Sequence, residues 1–207
     1  MNSKPLKKAI GRMAAVILLM VLLPAVLSFT AEYPEPVTKH YLSQEKVYWK
    51  IEQITISPIF DEPETSIVDL YFQKPDELYL VADDRQIIAR GDTIWTYLIK
   101  HKQIQKVIGG GVFNPFDFID TSNTFYDIVK SDDNVLVLKS QDSMTEPDSL
   151  QITFSNSGII ENVIYPDVNE NEVKLRFLTE SFTTPIPEDN FLAKVPEGVE
   201  VIDISDQ

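Results

Sequence analysis

From Lys46 onward, apolar and polar residues alternate with period two in short runs. VYWKIEQITI places Val47, Trp49 and Ile51 on one face of a strand. Ile54 and Ile56 then fall in the opposite phase, which predicts a bulge or bend. SIVDLYFQ, ELYLVA, QIIAR, TIWTYLI and KQIQKVI follow, each rich in β-branched and aromatic side chains and separated by the turn-like KPD, DDR, RGD and KHK. Loops this short connect antiparallel neighbours, because a parallel crossover needs ten or more residues between strands. Before residue 110 only Glu35–Gln44 has a helical pattern, of one to three turns. The rhythm breaks at GGGVFNPFDFIDTS, where Asn114 can cap a short helix with Pro115 at its first position and Asp117 in its first turn. Strands resume at FYDIV, NVLVLKS, SLQITFS, GIIENVIY and EVKLRFLTESF, and the tail ends in a last short strand. The expectation is one mainly β domain of ten or eleven strands with two short helices.

An antiparallel sheet of that size curls, and its concave face either packs on a second layer or encloses a cavity for an apolar ligand. The residues predicted to form that surface are Trp49, Phe72, Leu78, Leu80, Trp95, Tyr97, Leu138, Phe154, Leu175 and Phe177, on alternating positions of successive strands. For each of them taken alone, ordinary core is the simpler reading. As a set they point to a cavity, since so little helix is available to fill the concavity.

The N-terminus has a different character. Lys4, Lys7, Lys8 and Arg12 precede the apolar run MAAVILLMVLL, and Pro24 and Ser28 follow it. A basic head, a short apolar stretch and a helix-breaking end describe a secretory signal peptide over residues 1–31, with a retained membrane anchor as the alternative. On either reading the domain, residues 32–207, is exported. The net charge of the chain is −14, from 18 bases and 32 acids. All four bases and none of the acids of residues 1–31 lie in that segment, so the domain carries 14 bases against 32 acids, a net −18. Such a surface repels nucleic acid and anionic membranes. With no cysteine there is no disulfide, no thiolate metal site and no lipid-modified cysteine, so packing alone holds the domain together.

Catalytic constellations are not legible. The two histidines, His40 and His101, are far apart, and His101 sits in a Lys-His-Lys turn. Gly109-Gly110-Gly111 is not followed by the Lys-Ser/Thr of a phosphate loop. Asp167-x-Asn169-x-Asn171 opens like a calcium loop but has Glu172 at the sixth position and Leu178 at the twelfth. Arg90-Gly91-Asp92 is best explained as a hairpin turn, and the acid pairs Asp83-Asp84 and Asp132-Asp133 as solvated loop tips. No enzyme, metal or cofactor is expected.

Five segments in order carry a resemblance: KPDELYL (Lys74–Leu80), RGDTIWTY (Arg90–Tyr97), KQIQKV (Lys102–Val107), NPFDFI (Asn114–Ile119) and NFLAKVPEGVEVID (Asn190–Asp203). Their succession and spacing resemble the LolA family of periplasmic carriers of outer-membrane lipoproteins. The resemblance implies an incomplete, strongly curved antiparallel β-barrel with short helices as a lid. It also implies a monomer whose hydrophobic interior takes the acyl chains of lipoproteins or other lipids. An inner-membrane release complex would load it and an outer-membrane receptor would unload it. By the same resemblance Phe113, Phe116, Phe118 and Ile119 belong to the lid. Three departures stand out: Tyr79 occupies the position of the family's arginine, the Asp-Gly turn is reversed to Gly91-Asp92, and the long N-terminal helix is shortened. The alternative function is a membrane-tethered or structural envelope module of the same fold.

Overall fold

The computed structural model describes residues 33–60, 62–109, 126–132, 134–141, 147–192 and 194–205, all within one of the two units into which the chain divides, Ala31–Gln207. The segment read as a signal peptide, the second expected helix and the lid residues Phe113, Phe116, Phe118 and Ile119 lie outside the described residues.

Helix α1 spans Glu35–Tyr41, shorter than the expected Glu35–Gln44. A proline at its start suits the first turn, where the missing N–H has no intrahelical partner anyway. Glu35 in the first turn and Lys39 and His40 in the last complement the helix dipole. Val37 and Tyr41, one turn apart on one face, are fully buried.

Among the described residues, twelve strands form a single sheet that does not close: β1 Lys46–Ile56, β2 Glu64–Gln73, β3 Glu77–Val81, β4 Arg85–Arg90, β5 Thr93–Leu98, β6 Gln103–Ile108, β7 Tyr126–Asp132, β8 Val135–Ser140, β9 Ser149–Phe154, β10 Ile160–Pro166, β11 Glu172–Ser181 and β12 Glu200–Asp203. Their order is β12-β6-β5-β4-β3-β2-β1-β11-β10-β9-β8-β7. Two antiparallel meanders, β1–β6 and β7–β11, thus join through the β1–β11 pair, and β12 adds the one parallel pairing, at the edge of β6. The expected ten or eleven strands are twelve, and the mainly β, open-barrel class stands. The RGD hairpin also forms as expected: Arg90 pairs with Thr93, and Gly91 has φ +58° at the first central position, where type II′ turns take glycine.

The expected bulge in β1 is not there, since β1 pairs with β2 in one unbroken register. The extra residue sits across the ladder in β11: Lys50 pairs with Thr179 and Ile51 with Phe177, leaving Leu178 unpaired and exposed. Ile54 and Ile56 simply lie on the outer face, because the inner face of β1 turns polar at Gln53 and Thr55.

The inner faces of nearly all strands meet in one buried cluster. Leu78 of β3 and Ala89 of β4 belong to the same cluster as Leu136 and Leu138 of β8, six and seven strands away in the sheet order, so the sheet curls around it. Tyr33, Val37 and Tyr41 bring the helix into this concavity. On the opposite face of β3–β6 a second cluster of Tyr79, Ile88, Ile104 and Phe191 is covered by Ile186, Leu192 and Val199 of the C-terminal segment.

Candidate functional site: an apolar cavity in the concave face

A cavity of about 370 Å³ opens within the concave face. Trp49, Ile51 and Leu70 contribute from β1 and β2, and Leu150, Ile152, Ile160, Val163, Leu175 and Phe177 from β9–β11. Tyr165, Pro166, Asp167 and Val168 line it where β10 turns towards β11, and Pro147 stands before β9. The two prolines have no N–H to leave unbonded, which suits an apolar wall. Asp167 is the one charged residue among these lining side chains.

Of the ten residues predicted to line this surface, Trp49, Leu175 and Phe177 do so. Phe72, Leu78, Leu138 and Phe154 are buried in the same inner cluster and Leu80 packs against it, so they support the concavity rather than face the space. Trp95 and Tyr97 are corrected. They share a strand face as expected, but it is the outer one: Trp95 pairs with Ile88, which pairs with Tyr79, and both Trp95 and Tyr97 pack in the second cluster, Tyr97 with its ring 5.7 Å from that of Phe191. Period two fixes which residues share a face but not which face is concave. Their inward neighbour is Ile94, which packs against the inner cluster. Tyr79 also faces outward; its hydroxyl donates to Gln86 Oε1 at 3.1 Å, and its ring lies 5.9 Å from that of Tyr71.

One end of the concavity is closed by a polar clasp that sequence reasoning did not find. Glu180 Oε2 accepts from Tyr41 O–H at 2.5 Å and from Trp49 Nε1 at 2.9 Å, while Oε1 lies 2.7 Å from His40 Nε2. The Tyr41 hydroxyl in turn accepts from the Ile160 N–H at 2.9 Å. Burial, then the neighbouring Glu180, pushes the Tyr41 hydroxyl far above its ordinary pKa, so it remains a donor. The clasp ties α1 to β1, β10 and β11. Its origin is the Leu178 bulge: Leu175 and Phe177 face inward, and one unpaired residue later the inward position falls to Glu180 instead of Thr179. The sequence does carry the signal, since adjacent Phe177 and Leu178 break the alternation. His40 is part of this clasp, and its ring lies 4.7 Å from that of Tyr41 and 5.2 Å from that of Phe182.

Among the described residues, no cluster of three or more His, Cys, Asp or Glu could hold a metal, and no helix is long and apolar enough to cross a membrane.

No protein-family model matches the chain, and no curated protein matches it by sequence. Solved structures similar to it include an uncharacterized conserved protein from Thermus thermophilus, at 11% identity and a TM-score of 0.48 over 81% of this chain and 94% of that one. A LolA superfamily protein from Nitrosomonas europaea aligns at 11% identity and a TM-score of 0.44, over 74% of this chain and 92% of that one. A domain titled as an outer-membrane lipoprotein-sorting protein, from Vibrio parahaemolyticus, aligns at 12% identity and a TM-score of 0.40, over 70% and 88%. All three likenesses lie at low sequence identity, 11–12%.

Proposed function

We propose that the domain is a periplasmic carrier that shields acyl chains of lipoproteins or other lipids in the cavity of the concave face and passes them towards the outer membrane. The observation that carries this reading is the cavity itself: a space of about 370 Å³ with apolar side chains on β1, β2 and β9–β11 and a single charged residue among them. Each methylene moved from water into such a space contributes about 0.8 kcal/mol, so a chain filling it binds without any specific polar contact. The N-terminal segment would direct export and be cleaved. Loading by an inner-membrane complex and delivery to an outer-membrane receptor follow from the same reading, and the acidic surface would steer docking to basic partner faces.

The two tryptophans give a direct test, because Trp49 lines the cavity and Trp95 packs on the other face of the sheet. A nitroxide-labelled fatty acyl chain should quench the emission of a Trp95→Phe variant, which retains Trp49. It should leave a Trp49→Phe variant nearly unquenched. Absence of quenching in both, in protein that is folded, would sink the carrier reading. N-terminal sequencing of the exported protein distinguishes a cleaved carrier from a tethered one.

A further inference from the structure

We infer that the cavity takes one hydrocarbon chain of about a dozen carbons beneath a polar head group that carries no negative charge, an inference that rests on the carrier reading above. The length follows from volume. A methylene needs about the room of one water in the liquid, about 30 Å³, so 370 Å³ holds about twelve. A second chain of that length would need about twice the space.

The head group follows from the rim. Beyond Ile51 and Val68, the inner face of β1 and β2 continues as Gln53, Thr55 and Ser66. Gln53 pairs with Ser66 in the ladder, and its Nε2 donates to Thr55 Oγ1 at 3.4 Å, so the two β1 side chains share the face. Gln53 and Thr55 also stand opposite Leu175 and Val173 of β11. The apolar lining therefore gives way to the hydrogen-bonding groups of Gln53, Thr55 and Ser66, suited to a hydroxyl or an ester, and on β2 the same face ends in the exposed Glu64 opposite Thr55.

Asp167 then excludes an anion. Its Oδ1 accepts from the N–H groups of Asn169 at 2.8 Å and Asn171 at 3.0 Å, and its Oδ2 from Asn171 Nδ2 at 2.9 Å. These bonds, that of the Asn171 side chain first, hold its carboxyl below the usual range, so the rim carries a fixed negative charge at neutral pH. Beside it, burial and then the Asp167 charge raise the Tyr165 hydroxyl, which stays neutral and can donate to a head group; Arg85 opposes that shift. Arg85 itself is exposed, at the start of β4.

The test is displacement of Nile red, a neutral probe, from the purified domain by 1-alkanols and fatty acids of 8 to 18 carbons at pH 8, with native mass spectrometry for stoichiometry. The expected result is one chain per protein and affinity that climbs with each carbon to about twelve and then levels. Each carboxylate should bind about tenfold more weakly than the alcohol of equal length. That gap should shrink in Asp167→Asn, and also in the wild-type protein at 0.5 M salt. Two or more bound chains, affinity still rising at 18 carbons, a carboxylate equal to its alcohol, or a gap insensitive to both Asp167→Asn and salt would each overturn the inference. Failure of every compound to displace the probe and to appear bound would instead remove the carrier reading beneath it.

Discussion

The six strands β1–β6 and the five strands β7–β11 are built differently, although both are antiparallel meanders of similar length. Between β1 and β6 every ladder keeps a continuous register. In β7–β11 an extra residue enters three times: Val129 in β7 between Ile128 and Lys130, Glu161 in β10 between Ile160 and Asn162, and Leu178 in β11. The regular half packs on both faces, against the inner cluster and under the C-terminal segment. The bulged half supplies most of the cavity lining, because each bulge bends its strand and increases the local twist until the sheet can no longer lie flat on its own core. Regularity here makes solid packing, and irregularity makes space.

The largest expected effect comes where the bulged half holds the helix. Gly158, in the β9–β10 turn with φ +84°, faces α1 so closely that a Cβ there would lie 2.3 Å from the Pro36 carbonyl oxygen. Gly158→Val should cost about 4 kcal/mol, from the left-handed backbone and from a backbone clash that only displacement of α1 relieves. The urea midpoint measures this, and an unchanged midpoint would mean the helix does not seat on that turn. Next, Glu180→Ala removes the acceptor at the centre of the clasp and should cost about 3 kcal/mol, whereas Glu180→Gln, which keeps an acceptor oxygen, should cost about half as much. Equal losses in the two variants would show that side-chain volume, not hydrogen bonding, is what matters there.

The third comparison sets the two faces against each other. Leu175→Trp, filling the cavity, should weaken acyl-probe binding at least about tenfold, a change of about 1.4 kcal/mol. Trp95→Leu, on the outer face, should leave binding within about twofold. If Trp95→Leu weakens binding as much as Leu175→Trp, the two faces are not independent. The smallest effect belongs to the regular half's edge. Asp203 accepts from the Ser205 side chain and from Lys106 Nζ, the latter at 2.9 Å, and these bonds lower its pKa from 3.8 to about 2. A lowered carboxylate pKa contributes stability that is present above pH 3.8 and is lost as the pH falls through about 2. The difference in urea midpoint between wild type and Asp203→Asn should therefore be constant above pH 5 and shrink between pH 4 and 2. A difference that persists at pH 2 would assign Asp203 a role independent of its charge.

Much of this was legible in the amino-acid order. Strand positions and turns follow from period two and from the short polar separators, and the family resemblance adds the open barrel. Which face is concave was not legible: Trp95 and Tyr97 alternate as cleanly as Trp49 and Ile51, and only the curl of the whole sheet separates the two pairs. The bulges were half legible. Ile128-Val129 and Phe177-Leu178 are adjacent apolar pairs that break the alternation, yet the phase change in β1 gives the same signal for a different reason, namely that the wall becomes polar at Gln53 and Thr55. Glu180 was hidden among 32 acids, since only a bulge distinguishes it from solvated neighbours, and Asp167 stood out only as the first residue of a calcium-loop match that fails.

The parallel pairing of β12 with β6 has a consequence for how the chain assembles. Every meander ladder can form from neighbouring segments as a local hairpin, but Gln103–Lys106 must wait for Glu200–Asp203, nearly the whole second half of the chain later. Contacts of such sequence separation form late, because the loop must close before they bring any return. Until then the outer edge of β6 is an uncovered strand, and Glu200–Asp203 is the segment that caps it.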